Sequence, residues 1–175
     1  MNQSIEDLKH IPLSDHDIKR MCDGKVKVIM YSDLKKYKTL DQLLKPYGSV
    51  IILYRTGENY GHWCCLNKIN KNTVEFFDPY GNMVDLDLKW TDEKTRKQLG
   101  QDLPLLSKLM YDSPYRLDYN HHKFQNIKDA SLATCGRWCV LRILLKDLTL
   151  KQFSKIFLKK KKSPDSIVTE LSANL

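Results

Sequence analysis

Apolar and polar residues alternate along the first half of the chain in a pattern that predicts short β-strands. Residues 25–31 alternate charged and apolar side chains, which is typical of a strand buried on one face. The apolar run 49–54 is continuous and rich in β-branched residues, so it predicts a strand buried on both faces. Segments 62–69 and 73–78 flank a short turn and predict a β-hairpin.

Helices are predicted on both sides of these strands. Ser14 and Thr39 precede short segments and are suited to cap them as helices. A polar helical region surrounds Pro104, and residues 113–134 are predicted to be irregular or extended. The stretch that begins at Cys135 then has the apolar character of a buried helix.

Two more helices complete the predicted pattern. Thr149 would cap one over residues 150–158, and Pro164 would occupy the first position of the last. Helices before and after a small sheet indicate the α+β class, with a small mixed and largely antiparallel sheet flanked by helices. A length of 175 residues and an apolar fraction of 42% predict a single domain, 1–175, with a basic C-terminal tail over 159–175.

Positive charge is concentrated near the end of the chain. The formal net charge is +8, and nine Lys or Arg against three Asp or Glu follow Gly136. Such asymmetry predicts a polyanion such as DNA as a partner, while the alternative is a solvated surface. A spacing of four residues places Lys151, Lys155 and Lys159 on one helix face. The candidate phosphate-binding residues are Lys151, Lys155, Lys159, Lys160, Lys161 and Lys162.

The five cysteines are an odd number and are expected to be free thiols in a reducing compartment. No apolar run follows Met1 and no stretch reaches the length of a membrane span. We therefore expect neither secretion nor a membrane partner. Cys64 and Cys65 alternate across a predicted strand and are interpreted as packing residues.

A carboxylate and an imidazole occupy the two ends of the predicted hairpin. His62 begins its first strand and Asp78 ends its second. Antiparallel strands bring the start of one beside the end of the other, so we expect the two side chains to form a hydrogen bond. That bond would fix the imidazole tautomer and stabilise the imidazolium.

A thiol opens the buried helix. Cys135 would face unpaired backbone N–H groups and the positive end of the helix dipole, which favour the thiolate form of a cysteine. Gly136 would let a substrate carbonyl approach the backbone. The backbone N–H of Cys135 and the side-chain amide of Gln125 are the candidate donors to an oxyanion.

Each of these residues also has a structural interpretation. A Cys at a helix start is often a core residue, a His beside a Trp is often structural, and Asp78 in DPYG is suited to a turn. Cys135, Cys139, His121 and His122 could be a zinc site, but their spacing matches no usual finger. We expect no metal and no required cofactor.

Three motifs resemble those of a known family. They are GHW at 61–63, FFDPYG at 76–81 and TCGRWC at 134–139. In order and spacing they resemble the adenain-like cysteine proteases, a superfamily that includes SUMO-specific proteases and proteases of large DNA viruses. They are closest in style to the maturation proteases of virophages and polinton-like elements. The resemblance covers about residues 50–153.

The resemblance implies the adenain-like fold and a thiol endopeptidase. Cys135 would be the nucleophile, His62 the general base and acid, and Asp78 the residue that orients His62. Trp63 would correspond to the family's Trp that covers the catalytic groups. Trp63 and Gly136 are thus expected to line the substrate cleft.

The chain departs from the family at the oxyanion donor. The family's Gln usually lies six or seven residues before the Cys, where this chain has Asp129 and Lys128. Gln125 lies ten residues before Cys135, so either the intervening loop bulges or another group donates the hydrogen bond.

By resemblance, the substrates are capsid and core precursors cut after small residues, in Gly-Gly or Ala-Gly sites. Bulky aromatic residues near the site, Trp63 and the pair Phe76-Phe77, predict the same narrow cleft. The alternatives are a SUMO-type deconjugating protease, an acetyltransferase of the bacterial effector type, and a basic nucleic-acid-binding structural protein. We expect a monomer in the virion and the host cytoplasm, with DNA as a candidate activator.

Overall fold

The computed structural model describes residues 4–158 and 161–175. Its sheet has five strands in the order β1-β2-β3-β4-β5. The strands are β1 Lys27–Met30, β2 Ser49–Arg55, β3 Gly61–Asn70, β4 Thr73–Phe77 and β5 Arg116–Tyr119. The two inner pairings, β2–β3 and β3–β4, are antiparallel, and the two outer pairings are parallel. The predicted α+β class with a mixed sheet is confirmed.

Local sequence explains most of the strands. β2 is the continuous apolar run, and all its residues except the last are buried. β3 and β4 form the predicted hairpin, in which Cys65 pairs with Phe77 and Leu66 with Phe76. β5 was not predicted, although Leu117 and Tyr119 alternate with polar residues in a segment expected to be irregular or extended. It is a short, half-exposed edge strand, so its pattern is weak.

Eight α-helices and two 3₁₀ segments surround the sheet in the described part of the chain. The helices are α1 Ile5–Leu8, α2 Asp15–Met21, α3 Leu40–Leu44, α4 Glu93–Gln98, α5 Leu105–Tyr111, α6 Cys135–Leu144, α7 Leu150–Leu158 and α8 Pro164–Ser172. The 3₁₀ segments are Tyr31–Lys36 and Leu86–Trp90. Ser14, Thr39 and Thr149 accept hydrogen bonds from the backbone N–H three residues later, as expected of N-caps.

The core lies on the two faces of the sheet. On one face α6 packs against β3 and α8, in a cluster that includes Trp63, Trp138 and Phe153. On the other face Leu43, Leu106 and further apolar residues form a second cluster. Successive residues of β3 therefore enter different clusters, which is why the sequence Trp-Cys-Cys-Leu is wholly buried.

The end of the chain is part of the fold. α8 buries Ile167, Val168 and Thr169 and packs against α6, so the predicted basic tail over 159–175 contains a packed helix. The lysine run that precedes it includes Lys159 and Lys160, which lie outside the described residues. Within the described ranges, no helix has both the length and the apolar character needed to cross a membrane.

Candidate active site

The hairpin brings His62 and Asp78 together. Cys65 pairs with Phe77, so the next residue, Asp78, lies opposite Cys64. Cys64 and His62 are two residues apart on β3 and point to the same face of the sheet, which brings Asp78 and His62 together. Nε2 of His62 lies 2.7 Å from Oδ1 of Asp78, and the two residues are 4% and 0% exposed. Because Nε2 is engaged by the carboxylate, Nδ1 is the nitrogen available to a reacting group.

Backbone and side-chain donors hold Asp78 in place. Its Oδ1 also accepts from the backbone N–H of Tyr80 at 2.8 Å, and its Oδ2 accepts from that of Asn82 at 3.1 Å. Asn120 pairs with both the N–H and the carbonyl of Asp78, at 2.9 and 2.6 Å. The buried carboxylate thus has hydrogen-bond partners at both oxygens, which fix its position.

His62 is held in a charged form between aromatic rings. Burial would lower its pKa, but hydrogen bonding to Asp78 and to Cys135 outweighs burial and raises the pKa to about 10. The ring of Tyr80 stacks on the imidazole, with centroids 4.4 Å apart and planes 12° apart. Trp90 approaches the imidazole edge-on at 5.3 Å. Sequence reasoning did not identify Tyr80 or Trp90, and only the tertiary fold brings Trp90 here.

Cys135 is the first residue of α6, as predicted, and is 8% exposed. A residue of α8, Asp165, holds the turn that precedes Cys135 by hydrogen bonds. Oδ1 of Asp165 accepts from the hydroxyl of Thr134 at 2.6 Å and from the indole of Trp138 at 3.0 Å. Oδ2 of Asp165 accepts from the backbone N–H of Asn126 at 3.0 Å. A buried acid that no sequence motif singled out therefore anchors the start of the helix.

Gly136 is constrained by packing. A Cβ atom at this position would lie 3.2 Å from Cβ of Leu13 and 3.2 Å from Cδ1 of Trp63. The indole N–H of Trp63 in turn donates to the carbonyl of Leu13 at 3.2 Å. The expectation that Gly136 lines the cleft is wrong: it is buried under these two side chains and does not reach the cavity wall.

One cavity of about 940 Å³ contains the thiol and the imidazole. Its lining includes Cys135, His62, Trp63 and Gln125, four of the residues predicted to act together. Tyr80 and Trp90 complete the wall around the imidazole. The pair Phe76-Phe77, expected to narrow the cleft, is instead buried in the two core clusters.

Gln125 reaches the cavity despite its unusual spacing in the sequence. It is 2% exposed, and its backbone N–H donates to the carbonyl of Pro79 at 3.0 Å. Its side-chain Nε2 donates to the hydroxyl of Tyr80 and to the carbonyl of Leu132, both at 3.2 Å. Its Oε1 is buried without a hydrogen-bond partner among the described residues.

A second buried acid lies beside the imidazole. Oδ2 of Asp87 is 4.0 Å from Nε2 of His62 and accepts from the Cys64 thiol at 3.5 Å. Its Oδ1 accepts from the side chain of Asn82 at 2.8 Å. Burial, followed by the charge of Asp78, raises the pKa of Asp87 to about 6. No sequence motif pointed to this acid, which enters from a 3₁₀ segment.

His62, Cys64, Asp78 and Asp87 offer ligand atoms within 4.8 Å of one another. Thiolate, imidazole and carboxylate are ligands that Zn²⁺ accepts. Each of the four already has a hydrogen-bond partner, however, and a metal would displace the 2.7 Å bond between His62 and Asp78. Hydrogen bonding therefore accounts for this group.

The earlier zinc alternative concerned other residues. Cys135, Cys139, His121 and His122 do not form a metal-ligating group in the part of the chain that the structure describes.

The other four thiols are buried, and three of them are hard to ionise. Burial raises the pKa of Cys22 to about 12, and it raises those of Cys64 and Cys139 well above the ordinary value. All five cysteines are unpaired, as predicted. Cys135 is the one thiol that lines the cavity among the described residues, so the chain presents a single accessible sulfur there.

The predicted phosphate-binding lysines divide into distinct groups. Lys151 and Lys155 are exposed on the outer face of α7. Lys161 is also exposed, whereas Lys162 forms an ion pair of 3.0 Å with Glu170. The negative charge of Glu170 offsets the positive charge of Lys162, so Lys162 should attract a phosphate less strongly than the two lysines of α7.

These features describe an α+β protein with a buried Asp–His pair and a helix-initiating Cys in one cavity. The chain is 41% identical, over 96% of its length and 99% of the relative's, to "Uncharacterized protein V9" of Sputnik virophage. It therefore belongs to the family of that virophage protein. No protein-family model matches the chain.

Solved structures show a more distant likeness. Two crystal structures of the ASFV pS273R protease align with 93% of this chain and 67% of theirs, at 10% and 11% identity and a TM-score of 0.49. The central domain of the uncharacterized Lpg1148 protein from Legionella pneumophila aligns with 93% of this chain and 94% of its own, at 14% identity and a TM-score of 0.41. Neither likeness carries an inference about activity.

Proposed function

We propose that this protein is a cysteine endopeptidase that matures virion proteins by cutting precursors after small residues. The observation that carries the proposal is the presence of Cys135 and His62 in one cavity, with Asp78 hydrogen-bonded to Nε2 of His62 at 2.7 Å. The membership in a virophage protein family supports a viral setting.

The geometry supports a two-step acyl transfer. His62 takes the thiol proton through Nδ1, and the sulfur of Cys135 attacks the scissile carbonyl. The resulting oxyanion is stabilised by the backbone N–H of Cys135 and by a second donor, for which Gln125 is the sequence-derived candidate. The imidazolium then protonates the leaving amine as the C–N bond breaks, which leaves a thioester. Water, deprotonated by His62, attacks the thioester, and the acid and the free thiol are released.

Asp78 acts through His62 in this scheme. Its buried carboxylate keeps the proton on Nε2 and so leaves Nδ1 to exchange a proton with the sulfur. A charged His62 at neutral pH, with a pKa of about 10, also stabilises the negative thiolate.

The cavity walls suit a small residue at the cleaved bond. Three flat aromatic rings belong to these walls: Tyr80 stacks on the imidazole, Trp90 approaches it edge-on, and Trp63 is part of the same lining. A glycine backbone passes between such walls, whereas a branched side chain contacts them. We therefore propose Gly-Gly or Ala-Gly sites in virion precursors, cleaved by a monomer in the virion and in the cytoplasm of the infected cell.

The test uses fluorogenic peptides and candidate virion precursors, with sequencing of the new termini. Wild-type protein should cut peptides with Gly-Gly or Ala-Gly before the scissile bond, and should not cut those with Val or Phe there. Cys135→Ala should abolish turnover, and Cys135→Ser should be nearly as inactive because a hydroxyl ionises far less readily.

Cys22→Ala is the matched control, because Cys22 is also buried and lies outside the cavity lining. It should retain turnover. Activity that persists in Cys135→Ala contradicts the proposal. Cleavage confined to a folded ubiquitin-like partner would instead identify a deconjugating protease.

A further inference from the structure

Tyr80 is a cavity-lining residue whose hydroxyl has no role in the mechanism described so far. Tyr80 lines the cavity, and its ring is stacked in parallel on the imidazole of His62. The charge of a Cys135 thiolate is, after burial, the next cause that raises the pKa of Tyr80, to about 12. Tyr80 and Cys135 line the same cavity, so the phenol and the sulfur can contact the same bound substrate. The phenol also stays protonated, and so remains a hydrogen-bond donor, at neutral pH.

The side-chain amide of Gln125 is already engaged. Its nitrogen carries two hydrogens, and Nε2 has two acceptors at 3.2 Å, the hydroxyl of Tyr80 and the carbonyl of Leu132. The carbonyl of Leu132 can only accept, so the nitrogen must face it and the amide cannot be turned over. Gln125 therefore has no free hydrogen for an oxyanion unless one of these bonds breaks.

The same contact leaves the hydrogen of the Tyr80 hydroxyl free. Tyr80 accepts from Gln125, and within residues 4–158 and 161–175 no acceptor takes its own hydrogen. Accepting one hydrogen bond polarises a hydroxyl and makes it a stronger donor to the next partner. The hydrogen bond from Gln125 thus orients the Tyr80 hydroxyl, and stacking on His62 holds the tyrosine ring in place.

We infer that the Tyr80 hydroxyl is the second oxyanion donor, beside the backbone N–H of Cys135, and that Gln125 positions it. This inference rests on the proposed peptidase function and replaces a direct role for Gln125. It also gives Gln125, ten residues before Cys135, a role that needs no contact with the oxyanion. Gln125 holds Tyr80, which follows the second strand of the hairpin.

The experiment measures turnover of a Gly-Gly fluorogenic peptide and, in parallel, alkylation of Cys135 by iodoacetamide, which builds no oxyanion. Tyr80→Phe keeps the stacked ring and removes the donor. It should lower kcat by about 10²–10³, the usual loss for one oxyanion donor, and leave the alkylation rate within about twofold. Tyr119→Phe, a tyrosine outside the cavity lining, is the matched control and should be silent.

Gln125→Ala separates positioning from direct donation. It should lower kcat in the wild-type background and have almost no further effect in the Tyr80→Phe background, because its effect passes through the hydroxyl. A Tyr80→Phe variant with wild-type kcat overturns the inference. Equal and independent losses from the two changes would show that Gln125 donates by itself. A wild-type protein that neither cuts the peptide nor is alkylated selectively at Cys135 contradicts the proposed function itself, which is a distinguishable outcome.

Discussion

Arg142 and Glu75 form a buried bidentate ion pair. Nε and Nη2 of Arg142 lie 2.7 and 2.9 Å from the two carboxylate oxygens of Glu75, and the side chains are 1% and 4% exposed. Glu75 is on β4, three residues before Asp78, and Arg142 is on α6, seven residues after Cys135. The pair therefore fixes the helix of the thiol relative to the strand that leads to the carboxylate.

Removing one partner should destabilise the fold strongly. In Glu75→Gln the guanidinium stays buried without its counter-charge, which should lower the free energy of unfolding by about 3–5 kcal/mol in urea titrations. The matched control is Asp118→Asn, which breaks the exposed pair between Arg116 and Asp118 and should cost less than about 1 kcal/mol. Equal effects of the two changes would show that burial of the first pair has no special importance.

Gly136→Ala should strain the packing under the cavity. The new methyl group would lie 3.2 Å from both Leu13 and Trp63. Such overpacking costs about 1–3 kcal/mol of stability, measured by urea titration, and should shift Trp63 at the cavity wall. Leu13→Gly in the same chain removes the Cβ and Cδ1 atoms that crowd the methyl group, so the double variant should lose less than the sum of the two single changes. Simple additivity would contradict the packing argument.

Asp78→Asn should reduce turnover of the Gly-Gly peptide through the wrong imidazole tautomer. By analogy with serine triads the loss reaches about 10⁴ in kcat, and a preformed thiolate–imidazolium pair would make it smaller. The amide group must also face one of the backbone N–H donors of Tyr80 and Asn82, so stability should fall as well. A fully active variant would show that Asp78 only stabilises the turn and does not act through His62.

Asp87→Asn should stabilise the protein at neutral pH. The folded-state pKa of Asp87, about 6, lies above the ordinary value of 3.8. The stability linked to its proton is therefore present below pH 3.8 and lost as pH rises through 6. The difference in unfolding free energy between variant and wild type should rise between pH 4 and 6 and then level off, in urea titrations at each pH.

Asp92 provides the opposite control for this pH series. As the N-cap of α4, it has its pKa lowered by hydrogen bonds from Thr95. Its contribution is present above pH 3.8 and lost as pH falls, so Asp92→Asn should lose stability relative to wild type as pH rises through the acid range. A difference for Asp87→Asn that does not change with pH would contradict the buried-acid argument.

Binding of random-sequence duplex DNA should depend on salt. We propose that the basic end of the chain contacts about four to six phosphates, which predicts a slope near −4 to −5 in log affinity against log salt. Replacing the exposed Lys151 and Lys155 with Gln should reduce the slope by about 2. Lys162→Gln should change it less, because this lysine is paired with Glu170.

Lys108→Gln is the matched control for DNA binding, since Lys108 is exposed on α5 and paired with Asp112. It should leave the slope unchanged. A flat salt dependence, or an unchanged slope after replacement of Lys151 and Lys155, would leave the lysines as solvated surface. Stimulation of peptide cleavage by the same DNA would extend the proposal from binding to activation.

The sequence predicted those parts of the site that depend on local pairing. A hairpin with a short turn determines which residues face each other, so His62 and Asp78 could be placed together from their positions alone. Cys135 could be recognised because a thiol before an apolar helix is a local pattern. Their meeting in one cavity required the docking of α6 on β3, which the motif order indicated only by resemblance.

Other parts could not be predicted because they depend on long-range packing. Asp87 and Trp90 enter from a 3₁₀ segment with no periodicity to mark it. Asp165 looked like an ordinary acid in the first turn of a helix, and only α8 packing on α6 turns it toward Thr134. The absence of a side chain at Gly136 was assigned to substrate access, although the residues that need the space, Leu13 and Trp63, come from distant segments.

The position of Asp165 makes the start of the thiol helix depend on a distant part of the chain. Thr134, immediately before the thiol, is hydrogen-bonded to a carboxylate 31 residues further along the chain. The same carboxyl group holds the indole of Trp138 and the backbone N–H of Asn126. Until α8 docks on α6, these donors lack that acceptor. Docking of α8 and completion of the thiol's surroundings are therefore a single cooperative folding event.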